Sequence, residues 1–404
     1  MSIPGRAILP LSLALLSGCA GAKASSLAMA VIDTLPGGIV RVTSAGPTAW
    51  TDSSGATLVE EGRFTGAEGT PAELGEPRSL AVDDAGRIYV VDNKPASIKV
   101  FAPDGRLVRT IGREGEGPGE FRVGFIAVHD GFLVLHDPQV SRTTVWDTAG
   151  TFLRSWHDSC CYWNDIEVDR EGRIYVPSMV SGEAGQTSRG VSYVRWSLEG
   201  TVLDTVWVPP GEDTKFWTIS SKKGGQVVSA MSTSIPFMPV LNSALHPDGG
   251  FVYGWSGHYA LVRSRTGSDS ARVFGRAWIP DPITDERRTS EYESEIKEPA
   301  KSYGEAAVRA AFKLEDLPHT LPAFSGFRVD RSGRVWVRRY PVADTTRTFY
   351  EVFDSAGAFL GPVVVPLQVS TYGPQDWTRD GLVTVIEDNE GRPTIVRLRF
   401  VTKR

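Results

Sequence analysis

The sequence lacks the features that mark several large classes of protein. Its formal net charge is −5 and it has no run of Lys or Arg, so nucleic acid is not an expected partner. It contains only three cysteines, and no Cys-x-x-Cys pair or grouped histidines predict a zinc site. No Gly-x-Ser-x-Gly elbow is present. What the chain has in quantity is glycine and proline, 42 and 26 residues, which is typical of many short strands and turns.

The N-terminus predicts export. Arg6 precedes an apolar stretch, Ala7 to Leu16, that is too short to span a bilayer and suits the apolar region of a signal peptide. The stretch runs into Leu16-Ser17-Gly18-Cys19, which resembles the bacterial lipobox, where the cysteine thiol receives a diacylglycerol. An ordinary signal peptide with an incidental cysteine is the alternative.

The lipobox resemblance implies a division of the chain and a location. Residues 1–18 are then a lipoprotein signal peptide, Cys19 carries the lipid, residues 19–36 form a tether, and residues 37–404 form the folded domain. The protein is expected in the bacterial cell envelope, attached to the membrane through this lipid. Ala20 after the cysteine favours the outer membrane, facing the periplasm or the exterior.

An internal repeat predicts the fold. The segment Leu80-Ala-Val-Asp-Asp-Ala-Gly-Arg-Ile-Tyr-Val90 recurs as residues 166–176 and again as residues 327–337, each an alternating strand, a tight Asp/Gly turn and a second strand. Weaker copies at residues 126–135, 244–253 and 377–385 bring the total to six. A second strand pair follows the hairpins, as in residues 98–111, so each repeat supplies four strands, which is one blade of a β-propeller.

The sixth repeat ends too early to complete its blade. Only residues 393–401 follow its hairpin, whereas Asp52 to Phe64 reads as half a repeat at the other end of the chain. An N-terminal strand that closes the ring would remove an exposed sheet edge. We therefore predict an all-β, six-bladed propeller with four-stranded blades, closed by an N-terminal strand. An open β-solenoid is the alternative.

The repeat motifs also resemble a known family. Val-Asp, the turn glycine, Ile-Tyr-Val, and the crossover Arg113-Glu-Gly-Glu-Gly-Pro-Gly-Glu-Phe121 are similar to the NHL-type six-bladed propellers over about residues 37–401. The resemblance implies the fold. It implies little about activity, because that family includes scaffolds, ligand binders and some enzymes.

The long insertions into the repeats are expected to lie on one face of the ring. With strands a to d from the axis outward, the b–c loops and the d–a crossovers share a face, called here the crossover face. Insertions at residues 178–190, 209–239 and 281–323 fall on it. The last one lies between blades 4 and 5 and is predicted to be helical, with Thr284 as a cap, Pro299 as an interruption and Ser302-x-x-Glu305 as a second cap.

The expected function is binding without catalysis. Aromatic residues near the crossover face are the predicted contacts for an envelope protein, a peptide or a glycan, because they supply area at low entropy cost. These residues are Tyr162, Trp163, Phe216, Trp217 and Phe324. No cofactor is expected with this function. Cys160 and Cys161 are adjacent, and three states are open: a vicinal disulfide, inert or partly buried thiols, and a metal or redox role.

The alternative function is a calcium-dependent hydrolase of the lactonase type. Glu76, Asp165, Asn242 and Asp376 lie at or just before the innermost strands of four blades. Oxygen ligands that converge on the axis suit Ca²⁺, which polarises a carbonyl group. A polar, solvated channel would need similar residues.

Overall fold

The computed structural model of the protein describes residues 30–44, 48–50, 55–158, 165–178, 190–265, 269–341 and 346–402, without the side chains of residues 222 and 223. Cys19, Cys160, Cys161, Tyr162 and Trp163 lie outside these residues, as does the signal peptide. The described chain is mostly β-strand, with two α-helices. The predicted all-β class is confirmed.

Each of the three clearest repeats folds around an aspartate. Asp83, Asp169 and Asp330 accept the backbone N–H four residues further on at 2.9, 3.1 and 3.0 Å. The arginine at that position also donates its Nε to the same carboxylate, at 2.5, 2.7 and 2.6 Å. The turn glycine takes a positive φ, 78° at Gly86, which favours glycine. The repeated Asp-x-x-Gly-Arg sequence therefore specifies the hairpin turn.

Three strands precede the first repeat: β1 (Ala30–Leu35), β2 (Ile39–Ser44) and β3 (Ala56–Phe64). β1 and β2 form an antiparallel hairpin with Ile32 opposite Val42. β1 begins at Ala30 and so lies within residues 19–36, the segment predicted to be a tether.

Three four-stranded antiparallel sheets follow along the chain. The first contains β4 (Pro77–Val82), β5 (Ile88–Asn93), β6 (Ala96–Phe101) and β7 (Leu107–Ile111). The short parallel pair β8 (Arg113–Glu114) and β9 (Glu120–Phe121) leads to the second, with β10 (Phe125–His129), β11 (Phe132–Asp137), β12 (Arg142–Asp147) and β13 (Phe152–His157). The third contains β14 (Glu167–Val168), β15 (Ile174–Ser178), β16 (Val191–Trp196) and β17 (Val202–Val208).

The second half of the chain adds a hairpin, three more strand groups and the helices. The hairpin is β18 (Phe216–Lys223) and β19 (Gln226–Ser234), and the next group is β20 (Leu241–Leu245), β21 (Phe251–Trp255), β22 (Ala260–Ser264) and β23 (Ser270–Gly275). After α1 (Asp285–Tyr303) and α2 (Glu305–Ala311) come β24 (Gly326–Val329), β25 (Val335–Arg338), β26 (Thr348–Phe353) and β27 (Phe359–Val365). The chain ends with β28 (Gln375–Trp377), β29 (Gly381–Glu387) and β30 (Pro393–Thr402).

The N-terminal strands attach to two of these groups. β2 runs parallel to β23, so β2 and β1 extend the sheet of β20–β23 at its outer edge. β3 pairs antiparallel with β30, with Leu58 opposite Phe400. The third strand of the chain, β3, thus occupies the outer position beside the last strand, β30.

The first strand of each group lies at a common axis. β4 lies beside β10 and β28, β10 lies beside β14, and β20 lies beside β24. The faces of neighbouring sheets pack on each other, and Tyr89 and Ile98 share one buried cluster with Leu133 and Trp146 of the next sheet. Sheets that radiate from an axis in this way form a β-propeller. The predicted propeller fold is confirmed.

The first helix starts where the sequence predicts, but its end and the start of the second helix differ from the prediction. Thr284 caps α1 as expected, since its Oγ1 accepts the N–H three residues on at 3.2 Å. Pro299 does not interrupt α1, which continues to a stop at Gly304, where φ is 82°. Ser302 lies within α1, so it makes no capping box with Glu305, and Gly304 caps α2 instead. Neither of the two helices in the described chain is long and apolar enough to cross a membrane.

Candidate functional site

The two long crossover insertions pack against each other on the crossover face. Trp217 of β18 stacks on Phe312, which follows α2, with ring centroids 4.8 Å apart and planes 12° apart. Its Nε1 donates to Asp316 at 3.0 Å, and the Tyr292 hydroxyl of α1 donates to the Phe312 carbonyl at 3.1 Å. We call β18, β19, α1 and α2 the insertion module, since they share one buried cluster.

Two of the predicted aromatic contacts are core residues. Trp217 is 1% exposed, covered by the helices, and Phe324 is fully buried between Tyr259 and Phe327. Neither side chain reaches a partner at the surface, so both predictions are wrong. The alternation of Trp217 and Ile219 with more polar neighbours was the sequence signal for an inward-facing strand position.

Phe216 is the predicted contact that the structure places at the surface. Its side chain is 39% exposed. It lines a cleft of about 160 Å³ at the root of the β18–β19 hairpin, together with Met238 and Trp255. Tyr162 and Trp163 lie outside the described residues, so their role stays a prediction.

Asp165 lies in the axial channel. Its Oδ1 accepts the Ser79 hydroxyl at 3.1 Å, although the two residues belong to sheets that are not neighbours, and Ser79 in turn accepts the Ile126 N–H at 3.1 Å. Asp165 is exposed to solvent, although many protein atoms lie around its carboxyl group. Burial raises its pKa, while the Ser79 hydrogen bond and the charges of Arg328 and Arg78 oppose the shift.

Glu167, two residues further on, is an axial residue that the sequence reasoning missed. Burial raises its pKa to about 7, against the lowering effects of the Leu245 N–H, 3.5 Å away, and of Arg328. The charges of Asp165 and Asp376 raise it further. A carboxyl group whose pKa is raised to about 7 beside other charged groups is a candidate functional group. Its signal was a departure from the repeat, since Ala81 stands at the same place in the first copy.

Asp376 and Arg328 complete the axial part of the site. Asp376 accepts the Val82 N–H at 2.8 Å and an Arg331 guanidinium N–H at 2.6 Å. Arg328 donates to the Thr371 carbonyl at 2.6 Å, and its charge acts on both Asp165 and Glu167. We call Asp165, Glu167, Asp376, Arg78 and Arg328 the axial cluster.

A line of polar and aromatic residues joins the axial cluster to the crossover face. Thr371 links Arg328 to Arg338, because Arg338 donates to the Thr371 hydroxyl. Next along the line, Tyr340 has a pKa raised to about 12, mainly by burial and also by Tyr372 nearby, and Arg338 opposes the shift. Tyr372 itself is 93% exposed. An exposed ring thus stands at the outer end of a path that leads to the axis.

The four predicted calcium ligands do not assemble. Glu76 is half exposed and pairs with Lys94 at 2.7 Å, Asn242 donates its amide to the Val240 carbonyl at 3.3 Å, and Asp376 is held by Arg331. Asp165 accepts the Ser79 hydroxyl. Among the residues that the structure describes, no three His, Cys, Asp or Glu side chains are grouped to hold a metal. The predicted metal set is not formed, since Glu76 and Asp376 are each paired with a cation of the protein instead of facing a common centre.

A family model described as a 6-bladed beta-propeller matches residues 71–130, which contain the first repeat, its crossover and the start of the second. No curated protein matches the chain.

Several solved structures are similar to the chain over most of its length. A protein of Bacteroides fragilis described as exported is 11% identical, with a TM-score of 0.47, and the match covers 87% of this chain and 96% of that one. A member of the duf4221 family from Bacteroides vulgatus is 11% identical, with a TM-score of 0.49, over 87% and 100% of the chains. A streptogramin B lyase is 10% identical, with a TM-score of 0.41, over 86% and 99%.

Proposed function

We propose that the protein is a bacterial lipoprotein whose propeller binds an envelope protein, a peptide or a glycan through its crossover face, without catalysis. Export and anchoring at Cys19 are supported by the lipobox-like residues 16–19 behind a short apolar stretch. Ala20 supports placement in the outer membrane.

We further propose that the propeller is a closed ring of six four-stranded blades of the NHL type. The support is that β4, β10, β14, β20, β24 and β28 each begin a group of strands at the axis. In the last group β28, β29 and β30 supply three strands and β3 supplies the fourth. Closure by the N-terminal strand leaves no unpaired edge at the junction.

One observation carries the binding proposal: the continuous path from exposed Tyr372 through Arg338 and Thr371 to the axial cluster. It combines an aromatic face, guanidinium donors and carboxylate acceptors from several sheets on the face where the insertions lie. Aromatic rings stack on sugars and peptide side chains, and charged groups fix the orientation of hydroxyl and amide groups. The path therefore suits a polar ligand that enters the channel from the crossover face.

Photo-crosslinking in the cell envelope tests the proposal. The photoreactive residue p-benzoylphenylalanine replaces Tyr372 in one variant of the full chain and Phe152 in the other. Phe152 is the matched control, because it is also an exposed aromatic residue, 38% exposed, but lies on the outer strand β13. We expect an adduct at position 372 and none at position 152, detected by intact-mass spectrometry, which registers glycans and peptides as well as proteins.

A second substitution away from the probe separates specific binding from random contact. Arg338→Ala in the position-372 variant removes a donor from the path and should reduce the adduct several-fold. Equal adducts at both probe positions, or an adduct that Arg338→Ala leaves unchanged, would contradict binding along this path. Anchoring is tested separately by labelling with a fatty-acid analogue, which Cys19→Ser should abolish.

A further inference from the structure

β19 is an open sheet edge on the insertion module. Its sheet has two strands, and α1 and α2 lie against β18. Within the described ranges no strand pairs with the other edge of β19, and seven of its nine residues are exposed. Alternate N–H and C=O groups along this edge therefore point away from β18 with no strand to receive them.

This edge lacks the usual protection against pairing. β19, Gln226 to Ser234, contains no charged residue and no proline, and Val227 and Val228 are 57% and 61% exposed. β1 offers a comparison, since that edge strand carries Asp33 paired with Arg41. Natural edges are generally blunted by charge, by proline or by a covering element. A nine-residue edge without any of these fits a strand that is paired in the assembled protein.

The two ends of the hairpin are complementary in apolar surface. Val227 and Val228 lie at the tip, and the cleft lined by Phe216, Met238 and Trp255 lies at the root. When two identical strands pair antiparallel about a two-fold axis, the tip of each one lies towards the root of the other. Exposed valines of one copy are thereby directed to the apolar cleft of the second.

The strand also carries nothing that would repel its own copy. β19 has no charged residue, so two copies of it can lie side by side without like charges facing each other. Only another polypeptide strand offers N–H and C=O groups at the spacing of this edge, and these two features favour a second copy of this chain.

We propose that two copies of the protein associate through β19, antiparallel about a two-fold axis near Ala230. The result is a continuous four-stranded sheet in the order β18, β19, β19 of the second copy and β18 of the second copy. The proposal is independent of the ligand and of the lipid anchor.

Cysteine cross-linking of the full-length protein tests the contact. Ala230→Cys places two thiols near the two-fold axis, within reach of a disulfide across paired strands. Thr218→Cys is the matched control, an exposed position on β18 of the same sheet. Under mild oxidation we expect a covalent dimer from Ala230→Cys, or from Ser229→Cys or Met231→Cys if the register is shifted. The proposal is overturned if none of these exceeds Thr218→Cys, or if β19 cross-links to a different protein instead.

A charge swap distinguishes lost pairing from lost folding. Ala230→Lys and Ala230→Glu each place like charges face to face across the two-fold axis, and each should weaken the dimer about tenfold or more, which corresponds to about 1.4 kcal/mol. An equal mixture of the two variants should restore dimers, because Lys then faces Glu. Sedimentation of the purified full-length protein measures both. A monomeric parent protein, or a mixture no more dimeric than its components, would refute the pairing.

Discussion

Two tryptophans in this protein make the same hydrogen bond over different distances in sequence. In the last of the clear repeats, Trp336 Nε1 donates to Asp330 at 2.9 Å, only six residues earlier. In the insertion module, Trp217 Nε1 donates to Asp316 at 3.0 Å, 99 residues later. Both indoles are buried. The hairpin satisfies its buried donor locally, whereas the module needs two separate insertions to meet.

The two regions should therefore respond differently when the hydrogen bond is removed. A hairpin of the propeller packs on neighbouring sheets on both of its faces. A substitution that destabilises the hairpin should therefore also destabilise the sheets that contact it. The module has its own buried cluster, centred on Trp217 and Phe312, so it can open without the sheets. Substitutions of the two aspartates therefore test whether the module is a separate cooperative unit.

The largest expected effect is that of Asp330→Ala. The side chain of Asp330 is 1% exposed and accepts hydrogen bonds from Arg334 and Trp336 and from turn N–H groups. Its removal leaves a buried indole N–H and a poorly exposed guanidinium without their acceptor, which should cost about 3–5 kcal/mol in the free energy of unfolding. Chemical denaturation measures the loss, and hydrogen exchange should show it across the neighbouring sheets.

Asp388→Ala is the control for this prediction. Asp388 accepts the same backbone N–H and the same arginine Nε at the turn of the last hairpin, at 2.9 and 3.0 Å, but its arginine partner is half exposed. The loss in the free energy of unfolding should be much smaller for Asp388→Ala, because water can hydrogen-bond to the half-exposed arginine in place of the carboxylate. Equal losses of stability from both substitutions would mean that the hydrogen bonds of the turn account for the loss, and not the bond to the buried indole.

A smaller and more local effect is expected from Asp316→Ala. Asp316 accepts Trp217 Nε1 and pairs with Lys215 at the surface of the module. We expect a loss of about 1–2 kcal/mol, the range for a buried donor left without its acceptor. Hydrogen exchange should increase in β18, β19, α1 and α2 and remain unchanged in β24 to β26. Faster exchange in those sheets as well would show that the module and the propeller unfold as one unit.

The same contrast explains what could be predicted from the sequence. The Asp-x-x-Gly-Arg hairpins are encoded within a dozen residues, so their strands and turns could be predicted directly. The pairing of β3 with β30 was expected for a different reason, because a half-repeat at each end of the chain implies it. Contacts such as Trp217 on Phe312 join two irregular segments, and no local pattern says which of them covers the other. The sequence therefore does not show whether Trp217 is a surface contact or a core residue.

The site was predicted less well than the fold, for a related reason. Asp165 was selected as an axial residue, and it lies in the channel. The sequence could not say that Ser79, from a sheet that is not its neighbour, would bind it, or that Lys94 and Arg331 would hold Glu76 and Asp376. Glu167 was missed because it sits inside a well-formed repeat, where only comparison with Ala81 and Arg328 at the same position marks it as unusual.

The smallest expected effect concerns Glu167 and depends on pH. Its pKa in the folded protein is raised to about 7 from the ordinary 4.5, mainly by burial. Between these values the folded state binds more protons than the unfolded state, so the free energy of unfolding falls as pH rises through this range. Below pH 4.5 the group is neutral in both states and this penalty is absent; above pH 7 it is complete.

Glu167→Gln keeps the shape and the neutral form of the side chain and removes the titration. The variant should therefore be more stable than the parent above pH 7, by about 1 kcal/mol, because one pKa unit corresponds to about 1.4 kcal/mol and the partial solvent exposure of Glu167 screens most of the effect. Near pH 4.5 the difference should vanish. Urea denaturation across this range measures it, and Glu171→Gln, an exposed residue of the next turn, is the control that should show no such trend. If the difference in unfolding free energy between the variant and the parent does not change with pH, the prediction is wrong. The carboxyl group of Glu167 would then be as well solvated as one on the outer surface of the sheets.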